Sequence, residues 1–143
     1  MPAIQFFEED ISYKLKNKTA VRQWINETVL AEGFKLKELN YIFCSDDYLL
    51  QINQQYLDHD TYTDIITFDN SEKDKVIVGD IFISIERIRE NALKFSITET
   101  NELHRVIIHG ALHLLGYKDK STADKQKMTF KEDFYLNLRT FNS

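Results

Sequence analysis

HGALHLLGYKD, residues 109–119, places two histidines four apart, then a glycine, then an aspartate where a third histidine could stand. Side chains four apart on a helix leave the same face one turn apart, so the imidazoles of His109 and His113 can reach a single ion. Gly116 suits a left-handed helix end, which would swing Tyr117 and Lys118 around and bring Asp119 back toward the two histidines. In such a three-ligand cup, zinc keeps an open position and lowers the pKa of bound water to about 7, the chemistry of hydrolysis. The same spacing also suits two core or solvent-edge histidines that bind nothing. Ligation is favoured by the combination: two of only four histidines in an apolar helix, where an unpaired imidazole pair is costly, followed by glycine and an acid.

Around this stretch, TETNELHRVIIHGALHLLG (98–116) has the pattern of a long apolar helix, and STADKQKMTFKEDFYLNLRTF (121–141) of a closing amphipathic one. Upstream, AIQFFEE (3–9), LNYIFCS (39–45), IITF (65–68) and VIVGDIFIS (76–84) have the branched and aromatic content of strands, the last two joined by the turn-rich DNSEKDK as a hairpin. Between the first two, TAVRQWINETVLAEG predicts a helix with Thr19 as N-cap, an inner face of Val21, Trp24, Ile25, Thr28 and Val29, and an end at Gly33. Ser45, with Asp46 and Asp47, opens another helix in which Tyr48, Leu49, Ile52 and Tyr56 recur at helical spacing; Ser84 caps IERIRENALKF. With no repeat and no Pro- or Gly-rich linker, this order predicts one α+β domain over residues 1–143, a mixed four-stranded sheet covered by helices.

The bulk composition agrees. A chain of 143 residues with 43% hydrophobic and 29% charged side chains, one Pro and four Gly can bury a core without disulfides. The lone Cys44, in YIFCS, is expected to pack as a small core side chain, which fits a reducing cytoplasm. No window approaches the roughly 18 apolar residues of a membrane span, so a cytoplasmic protein without membrane contact is expected. A formal charge of -5 argues against non-specific binding to DNA or anionic lipid, because such binding is driven by net neutralisation of phosphates. Local lysines are compatible with that: Lys118, Lys120, Lys125, Lys127 and Lys131 follow the histidines, diluted by Asp124, Glu132 and Asp133, and offer either a phosphate-facing patch or a solvated helix face.

Among other polar residues, Asp80 could orient a ligating imidazole or bond backbone at a strand end. His104 lies about 140° around the helix from His109 and should face away from it, and Glu102 suits the first turn through the helix dipole. The histidine and glycine offsets match the protease pattern H-E-x-x-H-x-x-G-x-x-H, but Gly110 stands at the position of its glutamate base, which counts against peptide hydrolysis.

The sequence resembles the YbeY family of bacterial rRNA-maturation endoribonucleases, whose pattern reads H-G-x-L-H-L-x-G-Y-D-H; HGALHLLGY (109–117) fits it throughout. NQQYLDHDTYTDIITFD (53–69) is similar to the family's L-N-x-x-Y-R and P-T-D-V-L-S-F segments, and GDIFIS (79–84) to its G-D-I-x-I-S, so the resemblance covers roughly residues 45–119. Asp119 stands for the family's third histidine, and Leu57 for its arginine; Thr63 and Asp64 match its T-D, while Tyr62 replaces its proline. The resemblance implies a zincin-like metal-dependent hydrolase fold and one zinc ion per chain, held here by His109, His113 and Asp119. It further implies cleavage of single-stranded RNA in small-subunit (16S) rRNA maturation and ribosome quality control, with rRNA and the small subunit as partners. An oxygen ligand at Asp119 admits other divalent ions. Lys118, Lys120 or His59 would have to supply the missing cation, and Asp64 is a further substrate-side residue. The alternatives are a ribosome-associated RNA-binding assembly factor with a structural metal, and a metal-dependent hydrolase of a non-RNA substrate.

Overall fold

A computed structural model describes residues 3–58 and 61–141. The chain runs β1 (Ile4–Glu9), α1 (Lys18–Ala31), β2 (Lys35–Cys44), α2 (Asp46–Leu57), β3 (Ile65–Asp69), β4 (Val76–Ser84), α3 (Ile85–Phe95), α4 (Glu99–Leu114) and α5 (Thr122–Asn137). The four strands form one sheet in the order β1-β2-β4-β3. β1 and β2 pair in parallel, as do β2 and β4, and β3 pairs antiparallel with β4 as the predicted hairpin. Among the described residues, no helix is long and apolar enough to cross a membrane.

Alternation along the strands decides what lies on each face. Leu39, Tyr41 and Phe43 of β2 and Ile77, Ile81 and Ile83 of β4 point into the main core, where α1, α3 and α4 pack. The opposite parity, Cys44 with Phe82 and Phe68, meets Tyr48, Leu49 and Ile52 of α2 in a smaller cluster. Each fully buried Ile or Leu contributes roughly 1.5–3 kcal/mol, so the α4 side carries most of the stability. Cys44 is free and buried, and burial together with nearby Asp46, Asp10 and Glu9 pushes its thiol up to about 12.

α4 lies close on the sheet because Gly110 faces it. A Cβ at Gly110 would sit 2.9 Å from Ile65 Cδ1 and 3.0 Å from Ile81 Cδ1. The position where a metalloprotease carries its glutamate is thus pressed against the sheet, where a side chain would have to displace Ile65 and Ile81.

Several expectations change. The N-cap of α1 is Asn17, not Thr19: it adopts φ 58 and accepts the first helical bond, Val21 N to Asn17 O at 2.9 Å. Asn tolerates this left-handed conformation better than most residues, so the helix starts earlier than the apolar pattern does. β2 begins at Lys35 rather than Leu39, because exposed Lys35 and Glu38 pair with β4 despite their polarity, with Lys37 at a register shift between Leu36 and Glu38. On α2, the inward position falls on Asn53, whose side chain donates to Thr61 O at 2.8 Å, while Tyr56 is exposed. α5 is two-faced: Met128, Glu132 and Tyr135 are buried, but Phe130, Phe134 and Leu138 project outward. The Ser45 and Ser84 caps form as read, each hydroxyl accepting the backbone N–H three residues on.

Candidate metal centre

α4 ends at Leu114, and the turn after it is a Schellman motif. Gly116 N donates to His113 O at 3.0 Å and Tyr117 N to Leu112 O at 3.1 Å. Gly116 takes φ 102, a left-handed angle that L side chains rarely adopt. The reversal carries Asp119 back along the helix, placing its Oδ2 3.8 Å from His109 Nε2. One donor atom each from His109, His113 and Asp119 lie within 4.8 Å of one another.

The ring orientations follow from what each Nδ1 touches. His109 Nδ1 meets Glu132 Oε2 at 2.6 Å, and His113 Nδ1 meets Tyr117 O at 3.0 Å. Carboxylate and carbonyl oxygens accept, so both rings donate through Nδ1 and leave the Nε2 lone pair free. Two imidazole nitrogens and a carboxylate oxygen are donors that zinc takes in catalytic sites, so this set fits such an ion chemically.

The same contacts divide the two histidines electrostatically. Burial disfavours a charged His109, but Glu132, Asp119 and Asp64 outweigh it and hold the imidazole above its ordinary value. His113 is lowered, first by burial and then by the neighbouring charge of His109.

Glu132 was not singled out as a site residue by sequence; there it counted only as an acid diluting the lysines. The structure buries it between α4 and α5, with Oε1 bonded to Arg105 Nη1 at 2.8 Å and Oε2 on His109. The available signal was its capacity to bury a carboxylate in the inner stripe of α5, with Met128 and Tyr135. A sequence pattern does not say which residue 23 positions back it meets.

The substrate-side expectations divide. Lys118 and Lys120 are exposed and line an open depression with His113, Gly116, Tyr117 and Asp119. Asp64 is partly buried; burial raises its carboxyl above the usual range, while His109 and Arg87 pull it down, which puts it within electrostatic reach of the centre. His59 lies outside the described residues. Leu57 is exposed at the end of α2 and lines a shallow depression with Asn53, Thr61, Thr63, Ile65, Ile66 and Thr67, without a cation among them.

Two readings are corrected. Lys131 is not a free phosphate contact, because its Nζ pairs with Glu32 Oε2 at 3.2 Å, and Glu32 also accepts from Tyr117 and Tyr135. Among the described residues, the Asp80 side chain bonds neither a ligating imidazole nor backbone. Its carboxylate accepts from the Asn40 and Asn70 side chains at 3.0 and 3.3 Å, because the strand's alternation turns it away from α4. His104 does face away from the centre, into a pocket between Trp24 and Phe141.

Fold and donor set together define the class: a zincin-like α+β protein whose sheet-covering helix and following turn bring together groups that could hold a metal. Residues 3–139 match the family described as Endoribonuclease YbeY. The chain is similar to the Endoribonuclease YbeY of Cytophaga hutchinsonii, at 56% identity over 138 residues and 96% of each chain. It is similar to that of Flavobacterium psychrophilum at 52% identity, over 92% of this chain and 94% of the relative. The solution structure of TM1509 from Thermotoga maritima superposes with a TM-score of 0.65 at 29% identity, covering 94% of this chain and 87% of that one. The chain belongs to the Endoribonuclease YbeY family.

Proposed function

We propose that this chain is a cytoplasmic, single-domain, metal-dependent endoribonuclease that cuts single-stranded RNA in small-subunit rRNA maturation and ribosome quality control. His109, His113 and Asp119 hold one divalent ion, zinc before others. The observation that carries this reading is the convergence of three donors at the end of α4, with both imidazoles presenting Nε2. When bound, such an ion supplies Lewis acidity toward a phosphodiester oxygen and activates water.

The chain's own residues supply the rest. Glu132 and the Tyr117 carbonyl hold the two rings, and the Gly116 turn delivers Asp119. Lys118 and Lys120 put positive charge beside the centre, where a phosphate must approach. Gly110 supplies no carboxylate base of the metalloprotease kind and turns that face of the helix to Ile65 and Ile81 of the sheet, which favours RNA over peptide as substrate.

The test is cleavage of a labelled single-stranded RNA by the purified protein beside His113→Ala and Asp119→Ala, with metal content measured on each sample. Loss of metal and of more than about 100-fold in rate together in both variants supports the enzyme. Leu57 favours one second reading, an RNA-binding assembly factor with a structural metal, because the described residues around the end of α2 offer no cation to a phosphate. That reading holds if the wild type keeps its metal but cuts no faster than His113→Ala.

A further inference from the structure

We infer that Glu132, clamped by Arg105, is a positioning residue that selects the metal-binding tautomer of His109 and strengthens it as a ligand. The inference rests on the metal reading above and concerns a residue outside the three donors.

Glu132 is buried, and each of its oxygens has one partner: Oε1 takes Arg105 Nη1 at 2.8 Å and Oε2 takes His109 Nδ1 at 2.6 Å. Arg105 and His109 are four apart on α4 and so read the same stretch of α5. The guanidinium forks, its Nη2 reaching Asp133 Oδ1 at 2.8 Å. A helix-to-helix ion pair needs only Arg105 and its two acids. The contact to His109 is additional, short and charge-assisted, and it fixes the proton on Nδ1 so that Nε2 faces Asp119. His113 has a neutral carbonyl in the same role, so the two ligands are not equivalent and the anionic partner belongs to His109.

The chemistry singles out a near-isosteric variant. An amide at 132 has one acceptor and one donor, whereas Arg105 and the His109 Nδ1–H both require acceptors. If the amide nitrogen faces His109, the ring must move its proton to Nε2, the atom the ion needs. If it faces Arg105, two donors oppose each other and the clamp opens. In either orientation one of the two contacts is lost, so Glu132→Gln keeps volume and weakens the orienting clamp, which a space-filling role would not show.

The experiment is zinc affinity by competition with a chromophoric chelator for wild type, Glu132→Gln, Glu132→Ala, His113→Ala and Asp133→Ala. It is read beside imidazole nitrogen NMR of the zinc-free proteins at alkaline pH. The expected result is a loss of about 10- to 100-fold for both Glu132 variants. Asp133→Ala should keep wild-type affinity, and the His109 Nδ1–H signal should be present in wild type and reduced in Glu132→Ala. Should Glu132→Ala fail to fold, Glu132→Gln carries the comparison. Wild-type affinity in Glu132→Gln, with weakened binding in His113→Ala, overturns the role of Glu132 and leaves the metal centre standing. A wild type that binds no zinc, or binds it no better than His113→Ala, overturns both.

Discussion

His104 and His109 sit five residues apart on one helix, and each has its Nδ1 engaged by a charged side chain from the C-terminal part of the chain. The partners have opposite signs. Arg139 donates to His104 Nδ1 at 2.8 Å, so a neutral His104 carries its proton on Nε2; burial first, and Arg139 second, lower it from 6.5 to about 4. Glu132 accepts from His109 Nδ1 at 2.6 Å, leaves Nε2 free and raises the ring. One residue type on one helix thus becomes a neutral core ring in one place and a ligand-ready base in the other. The sign of the group docked against it makes the difference.

The largest expected effect comes from exchanging the roles by deletion. His109→Ala should abolish metal retention while keeping a native thermal transition, because its ring lies at the edge of the core. His104→Ala should keep the metal and cost about 3 kcal/mol of stability, because it empties the space between Trp24 and Phe141 and takes the acceptor from Arg139. Metal content and urea unfolding on the same samples check both. Metal loss in the second variant with retention in the first would invert the comparison.

Acid sharpens it. A ring lowered in the folded state binds its proton more readily when unfolded, so its stabilising contribution is present above pH 6.5 and is lost as pH falls toward 4. His104→Phe removes that titration while keeping a ring in the pocket. The stability gap between wild type and this variant should narrow by up to about 3 kcal/mol between neutral pH and pH 4, read from urea midpoints. A gap independent of pH would mean that His104 is not held neutral.

The smallest effect is expected beside the centre rather than in it. Lys131→Ala breaks the pair with Glu32, which Tyr117 and Tyr135 still satisfy. Stability should fall by less than about 1 kcal/mol, and RNA cleavage should be little changed, because this lysine is committed to Glu32 and not to a phosphate. A large loss of cleavage would return Lys131 to the substrate path.

Much of the fold was legible because the signals are local. The Ser45 and Ser84 caps, the inner stripe of α1 and the hairpin of β3 and β4 each follow from residues within one or two turns. The start of β2 was hidden because KLKE (35–38) looks like a loop until Lys35, Leu36 and Glu38 pair with β4. Asn53 was hidden because its inward position on α2 is justified only by the Thr61 carbonyl that it meets. In the centre, His109, His113 and Asp119 were legible from spacing and one glycine, whereas Glu132 and the engagement of Lys131 were not.

By itself, the sequence determined the helix carrying the two histidines, the left-handed glycine that ends it and the return of Asp119, because hydrogen bonds spanning a few residues control those features. Tertiary structure alone decided the parallel order of β1, β2 and β4, the docking of α5 across α4, and with it the partner each histidine meets. The physical reason is that a proton's place on an imidazole depends on the charge within about 3 Å of it, and here that charge comes from residues 23 and 35 positions away in the chain.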